Sequence, residues 1–179
     1  MLICLEGPDK CGKTSMFNAL RGKVDAVFVP GLPIAKELFP VMYLAELRNV
    51  KLWELLYDPS RLYVCDRSPL VTHNAYSMVY GRRFVHSDLL QRETRIAYFK
   101  VPEAELRRRY AAIGDENFDA ENYSKLLAAY DHVLRDFNVT VFNAPTVDEV
   151  AEWIQELVKD GCNGASAPRG RNSLPTSSV

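Results

Sequence analysis

The 179-residue chain has no long hydrophobic run and almost no net charge. A helix that crosses a bilayer needs about 18 or more consecutive apolar residues. No stretch of the sequence approaches that length, so we expect no membrane partner. The 22 basic and 23 acidic residues nearly cancel, which gives no reason to expect nonspecific binding to nucleic acid. Because the first apolar run begins at Leu2, we also expect no signal peptide.

Cysteine is scarce, and its positions at 4, 11, 65 and 162 show no paired metal-ligand spacing. A reduced, cytoplasmic protein is the simplest expectation. With 47% hydrophobic residues and no internal repeat, the chain can form one well-buried core. We therefore predict a single domain over residues 1–160. The remaining segment, 161–179, has too few apolar side chains to offset its ordering entropy, and we expect a disordered tail there.

Short apolar runs alternate along the chain with longer helical segments, which is the pattern of a parallel sheet with helices on both faces. The strands are predicted at residues 2–6, 26–29, 62–65, 96–101 and 139–142. The helices are predicted at about residues 13–21, 35–56, 69–80, 102–112 and 120–135. A last helix should begin after Thr146, because Thr146 and Glu149 have the spacing of a capping box.

Residues 7–14, Gly-Pro-Asp-Lys-Cys-Gly-Lys-Thr, match the phosphate-loop pattern G-x-x-x-x-G-K-[ST] and follow the first strand directly. A loop between a buried strand and a helix directs backbone N–H groups, and the positive end of the helix, at one point. Lys13 can then reach the β and γ phosphates of ATP, and the Thr14 hydroxyl can ligate Mg²⁺. A glycine-rich turn that matches by chance is the alternative. The predicted nucleotide contacts are Gly7, Asp9, Cys11, Gly12, Lys13, Thr14 and Ser15.

This motif and the element order together predict an α/β protein with the three-layer P-loop NTPase fold and a five-stranded parallel sheet. The carboxyl ends of the strands form the ligand crevice in such a sheet. Asp66 and Arg67 follow the third predicted strand, so they should face the same cleft as the phosphate loop. Asp66 can hold Mg²⁺ or its water shell, while Arg67 can bind a second phosphate group. A surface ion pair between these neighbours is the alternative.

Three consecutive arginines, 107–109, lie near the end of a predicted helix. One interpretation is a solvated face that favours the helix dipole. The other is a basic lid over about residues 107–118 that closes on the triphosphate and excludes water, with Arg108 as the first candidate.

Tyr43 and Arg48 lie on the long second predicted helix, and both could reach a cleft from its end. A half-exposed amphipathic helix explains them equally well.

Several segments resemble thymidylate kinases over nearly the whole length of the chain. The resemblance rests on the opening segment 5–14, the Asp-Arg-Ser triplet at 66–68, the Thr-His-Asn-Ala-Tyr stretch at 72–76, the Pro-Glu segment at 102–108 and the Asn-Phe-Asp triplet at 117–119. The last two would lead into and out of the lid. The resemblance implies a homodimer that uses ATP and Mg²⁺ and binds a deoxynucleoside monophosphate.

The resemblance also implies roles for individual residues. Asp9 would bond the sugar 3′-hydroxyl of the acceptor, Lys10 would occupy the place of a catalytic arginine, and Arg67 would hold the acceptor phosphate. Tyr76 would disfavour a 2′-hydroxyl. The remaining implied contacts to the acceptor base are Arg48 and either Thr72 or Asn74.

Two departures from the family pattern affect the acceptor site. No arginine precedes Pro30, so one ligand of the acceptor phosphate is missing. The stretch from Arg67 to Tyr76 is also one residue longer than usual. The resemblance implies dTMP as the first expectation for the acceptor, and the two departures leave a relaxed or shifted preference, for example towards purine deoxynucleotides or dUMP, as the alternative.

The predicted reaction is direct transfer of the γ-phosphoryl group of ATP to the acceptor 5′-phosphate, with Lys13, Lys10, Arg67 and Arg108 supplying positive charge. A nucleoside kinase is one rival, but its hydroxyl acceptor needs a carboxylate base, and residues 28–31 after the second strand contain no acid. A nucleotide-dependent binding switch is the other rival, although a switch needs no second anion site.

Overall fold

The structure is a computed structural model that describes residues 1–31, 42–113 and 122–164. Its strands are β1 Leu2–Glu6, β2 Val27–Val29, β3 Tyr63–Asp66, β4 Thr94–Lys100 and β5 Asn138–Asn143. Its helices are α1 Lys13–Leu20, α2 Met42–Leu56, α3 Val71–Tyr80, α4 Asp88–Glu93, α5 Glu103–Ile113, α6 Tyr123–Val133 and α7 Val147–Gly164. Among these residues, no helix has the length and apolar character required to cross a bilayer.

The five strands form one parallel sheet in the order β2-β3-β1-β4-β5. This arrangement confirms the predicted five-stranded parallel sheet. The central strand β1 is buried over its whole length, as expected for a strand covered on both faces.

Helices cover both faces of the sheet, and β1 shows how the core is divided between them. Successive side chains of a strand point to opposite faces. Leu2 and Cys4 accordingly belong to one apolar cluster, which contains core positions of α2, α3 and α6. Ile3 and Leu5 belong to a second cluster with core positions of α1, α5 and α7. The predicted three-layer α/β arrangement is therefore confirmed.

Most differences from the predicted elements are shifts of element ends. The predicted second helix begins at residue 35, but 35–41 lie outside the described residues, and α2 is described from Met42. The helix predicted at 120–135 is α6 followed by a short 3-10 turn, Leu134–Asp136. Helix α7 is described as far as Gly164, and the rest of the tail predicted at 161–179 lies outside the described residues.

The short helix α4 was not predicted, although its start carries a recognisable signal. The Ser87 hydroxyl accepts a hydrogen bond from the Leu90 N–H at 3.3 Å, and Asp88 occupies the first turn.

The capping box before α7 is confirmed. The Thr146 N–H donates to Glu149 at 2.7 Å, and the Glu149 N–H donates to the Thr146 hydroxyl at 3.3 Å.

We predict that Gly7→Ala destabilises the protein by about 2 kcal/mol or more, because Gly7 has φ +143° and an added Cβ would lie 2.8 Å from the Phe99 carbonyl oxygen. Gly22→Ala is the matched control, since a Cβ at Gly22 would meet no atom within 4 Å. Urea denaturation measures both changes. Equal stabilities of the two variants would contradict the close packing at Gly7.

Candidate active site

The phosphate loop and the turn after β3 meet at one edge of the sheet. Strands β1 and β3 are neighbours, and Leu5 is in register with Asp66. The Arg67 N–H continues the ladder with a hydrogen bond to the Leu5 carbonyl oxygen at 3.1 Å. The sheet therefore places the Asp-Arg-Ser turn beside the phosphate loop, where the sequence analysis expected it.

The phosphate loop has a backbone that few residue types adopt freely. Gly7, Lys10 and Gly12 all have positive φ, at 143°, 64° and 102°. Gly12 is the N-cap of α1 and provides no side-chain cap, so the first N–H groups of α1 have no side-chain acceptor there. Such a helix start is suited to a phosphate group.

Lys13 is buried and spans its own loop. Its ammonium donates to the Gly7 carbonyl oxygen at 2.7 Å, to the Pro8 carbonyl oxygen at 2.8 Å and to the Cys11 sulfur at 3.5 Å. These bonds fix the loop around a positive charge. A phosphate oxygen that entered the loop could share this ammonium, because an ammonium has several donors that rotate as a group.

Thr14 and Asp66 form the candidate magnesium site. The Thr14 hydroxyl donates to Asp66 Oδ2 at 2.8 Å. The other carboxylate oxygen, Asp66 Oδ1, is buried and has no hydrogen-bond partner in the described part of the chain. An orphaned carboxylate oxygen beside a hydroxyl suits Mg²⁺, which takes oxygen ligands from one or two side chains and completes its shell with phosphate and water. The residues present therefore fit the ion.

Asp9, Arg67 and Tyr76 form a polar group that joins the loop to the turn. The Arg67 guanidinium is ion-paired with Asp9 Oδ1, and the Tyr76 hydroxyl donates to Asp9 Oδ2 at 3.2 Å. Burial opposes ionisation of Asp9, but the charges of Arg67 and Lys13 outweigh it and lower the pKa of the Asp9 carboxyl. Asp9 is therefore an anion at neutral pH.

A cleft of about 200 Å³ opens beside this group, between the ends of β2 and β3 and helices α2 and α3. Gly31 allows the end of β2 to approach β3 closely, since a Cβ there would lie 2.5 Å from the Asp66 carbonyl oxygen. The residues that line the cleft with side chains able to contact a ligand are Glu46, Asn49, Trp53, Asp66, Arg67, Ser68, Thr72 and His73.

Helix α2 contributes different residues to this cleft from those predicted. Arg48 is exposed and does not line it. Tyr43 packs beside His73, with ring centroids 6.3 Å apart. Glu46 and Asn49 line the cleft instead, and the Asn49 amide donates to Glu46 at 3.3 Å. Burial raises the pKa of Glu46.

The structure also shows which of Thr72 and Asn74 lines the cleft, a choice that the sequence left open. The Asn74 side chain bonds the backbone of Val85, once as donor and once as acceptor, each at 2.9 Å. It lines a second cavity with Phe84 and His132, away from the cleft beside Arg67. Thr72 lines the cleft.

In the arginine cluster on α5, Arg109 is the residue that contacts the phosphate loop, and the lid role expected of Arg108 stays a prediction. The Arg108 side chain is 71% exposed and pairs with Glu105. Arg109 donates to the Lys10 carbonyl oxygen of the loop at 2.9 Å and also bonds Glu105. The two arginines lower the pKa of Glu105 to about 2. The rest of the predicted lid, from residue 114, lies outside the described residues.

Sequence reasoning missed Glu6, the last residue of β1. Its side chain is fully buried and accepts hydrogen bonds from the Ser68 N–H at 2.6 Å and from the Thr72 hydroxyl at 3.0 Å. Burial raises the pKa of Glu6, while the Arg67 charge opposes the shift. A charged residue at the end of an otherwise apolar strand, directly before the loop, was the available signal.

Comparison with known proteins supports the fold. No family model matches the sequence, and no curated protein matches it. Solved structures do match. YorR protein from Bacillus subtilis, in complex with phosphorylated GDP, is 19% identical with a TM-score of 0.61, and the match covers 91% of this chain and 98% of YorR. Deoxyadenosine kinase from M. mycoides, with dCMP and a flexible dCDP bound, is 16% identical with a TM-score of 0.61, over 89% of this chain and 100% of that enzyme.

Thymidylate kinase from Candida albicans is a third similar structure, 11% identical with a TM-score of 0.56, over 90% of this chain and 92% of that enzyme. At these identities the likeness concerns the fold. The chain shares the α/β fold of these structures over about 90% of its length.

We predict that Arg109→Ala weakens ATP binding about fivefold, because it removes a hydrogen bond that supports the loop backbone. Arg108→Ala is the matched control and should change binding less than twofold, since Arg108 is exposed and its bonds among the described residues are to Glu105 of its own helix. Titration with a fluorescent ATP analogue measures both. A larger effect of Arg108→Ala than of Arg109→Ala would indicate that Arg108, and not Arg109, contributes to ATP binding.

Proposed function

We propose that this protein transfers the γ-phosphoryl group of MgATP to the 5′-phosphate of a deoxynucleoside monophosphate, with dTMP as the first candidate. The observation that supports this most directly is the Asp9, Arg67 and Tyr76 group beside the phosphate loop. It offers a cation for an acceptor phosphate and a carboxylate for a sugar hydroxyl, next to a site for ATP.

The proposed reaction needs alignment and charge neutralisation more than it needs a base. A monophosphate is already largely ionised at neutral pH. Lys13, Lys10 and Arg67 supply positive charge around the transferred group, and Arg109 supports the loop from α5. Thr14 and Asp66 would hold Mg²⁺, which supplies further neutralisation of the triphosphate when bound.

A preference for deoxy sugars follows from the same group of side chains. Asp9 is an anion and can accept a hydrogen bond from a 3′-hydroxyl. The Tyr76 hydroxyl already occupies Asp9 Oδ2. A ribose 2′-hydroxyl beside Asp9 would compete with this tyrosine for space and for the same acceptor.

A deoxynucleoside kinase is the second candidate, and one observation favours it. Glu46 places a carboxylate in the cleft from α2, although the sequence analysis found no acid after β2. Arg67 is the one cationic side chain among the described residues that line the cleft, and it is already paired with Asp9. No unpaired cation among these residues remains for an acceptor phosphate, so the uncharged 5′-hydroxyl of a nucleoside, with Glu46 as the base, would fit the cleft.

The deciding experiment measures ADP formation from MgATP with deoxynucleoside monophosphates, ribonucleoside monophosphates and free nucleosides as acceptors. The proposal predicts rapid turnover with deoxynucleoside monophosphates alone. Lys13→Ala is the negative control, and it should lower turnover by about a thousandfold while the protein stays folded, because it removes the charge beside the transferred group.

The other results would each favour a rival. Turnover with free nucleosides alone, abolished by Glu46→Gln, would favour the nucleoside kinase. Slow ATP hydrolysis that no acceptor changes would favour the binding switch. Full activity of a folded Lys13→Ala protein would contradict the phosphate-loop assignment itself.

We also propose that the protein is a homodimer. Helix α2 exposes Leu44, Leu52, Leu55 and Leu56. The first three lie close to one face, and exposed apolar stripes of this kind commonly mark interaction surfaces. Light scattering should give twice the 20.3 kDa chain mass. Leu55→Glu should shift the protein to a monomer, and a monomeric wild-type protein would contradict the proposal.

A further inference from the structure

A chain of buried hydrogen bonds runs from helix α6 to the end of β1. The Tyr130 and Thr72 hydroxyls lie 3.2 Å apart, and the Thr72 hydroxyl reaches both Glu6 oxygens at 3.0 and 3.2 Å. Both Glu6 oxygens already accept backbone N–H groups, from Ser68 at 2.6 Å and from Gly7 at 3.3 Å, which is the pattern of a carboxylate that accepts hydrogen bonds. The single Thr72 proton therefore points to Glu6, and Tyr130 donates to Thr72.

Because the Thr72 proton points to Glu6, the Thr72 oxygen can accept a second hydrogen bond besides the one from Tyr130. Arg67 Nη1 lies 3.5 Å from that oxygen, a weak hydrogen bond by distance. The chain therefore ends on the guanidinium that is paired with Asp9. Tyr130 is fully buried, so it cannot touch a ligand in the cleft.

Glu6 also holds the backbone of Arg67. Arg67 has φ +83°, a conformation that costs about 1 kcal/mol or more for a residue with a Cβ. The next N–H, that of Ser68, donates to Glu6 at 2.6 Å, and the Arg67 N–H is held by Leu5. Glu6 thus restrains the backbone of the turn through Ser68, and it restrains the Arg67 guanidinium through Thr72.

We infer that Glu6 and Thr72 are positioning residues that hold the Arg67 guanidinium in the orientation that binds the acceptor phosphate. Tyr130 holds Thr72 in place through the hydrogen bond between their hydroxyls. This inference rests on the proposed function for its consequence in catalysis. It gives Thr72 a role different from the base contact implied by the resemblance. A base contact would favour some bases over others, whereas a positioning role affects every acceptor alike.

The test compares Thr72→Val and Tyr130→Phe with Thr94→Val. Thr94 is a matched control because it is equally buried, lies at the opposite end of the sheet on β4, and has a hydroxyl without a partner in the described part of the chain. We expect Thr72→Val to lower kcat/KM about tenfold, and Tyr130→Phe about threefold, for every acceptor. The KM for ATP should stay within about twofold, and Thr94→Val should match the wild type.

A second readout follows Arg67 without turnover. Modification of Arg67 by phenylglyoxal, located by mass spectrometry, should be several-fold faster in Thr72→Val and Tyr130→Phe than in the wild type or Thr94→Val. If the wild type phosphorylates no acceptor yet Arg67 shows this dependence, the proposed function fails and the positioning of Arg67 stands.

Three results would overturn the inference. The first is a Thr72→Val protein that changes the ranking of bases while Tyr130→Phe behaves as the wild type. The second is a loss of activity that follows thermal stability equally in all three variants. The third is an unchanged rate of Arg67 modification in both network variants.

Discussion

The rest of the site depends on the pairing of β1 with β3. Because these strands are parallel neighbours with Leu5 opposite Asp66, the loop after one strand and the turn after the other must emerge side by side. The bond from the Arg67 N–H to the Leu5 carbonyl oxygen continues this pairing into the turn. The phosphate loop and the Asp-Arg-Ser turn therefore cannot separate unless the centre of the sheet opens.

Charge is concentrated at this edge, and most of it is satisfied within the protein. Lys13 bonds carbonyl oxygens of its loop, Arg67 pairs with Asp9, and Glu6 accepts several hydrogen bonds. Asp66 Oδ1 differs from these groups, since it is buried without a hydrogen-bond partner among the described residues. Breaking a buried pair by removing one partner costs more than the pair contributes, because it leaves an uncompensated charge. We therefore expect Lys13, Arg67, Asp9, Glu6 and Asp66 to rearrange together, not one at a time, when a phosphate group and a metal ion bind.

The sequence predicted the sheet and the phosphate loop because both are local patterns. Apolar runs at regular intervals define parallel strands, and the spacing of Gly12, Lys13 and Thr14 defines the loop without reference to distant residues. The place of Asp66 and Arg67 followed from the general rule that ligands bind at the carboxyl ends of parallel strands.

The sequence could not show which side of a helix faces the site. Adjacent helical residues point about 100° apart, so a choice between neighbours depends on how the helix is rotated. Arg109 faces the loop where Arg108 was expected, and Glu46 and Asn49 line the cleft where Arg48 was expected. Packing of α5 and α2 on the sheet decides these rotations, and sequence spacing does not report it. Thr72 and Asn74 were left open for the same reason.

The most direct test of a shared donor and acceptor cleft is the affinity of a bisubstrate compound, an adenosine and a deoxynucleoside joined through a polyphosphate bridge. Isothermal titration with Mg²⁺ present gives its dissociation constant beside those of ATP and of the deoxynucleoside monophosphate. We expect the joined compound to bind at least about a hundredfold tighter than either part, because the second site is engaged without a second loss of translational freedom. An affinity no greater than that of ATP alone would contradict it.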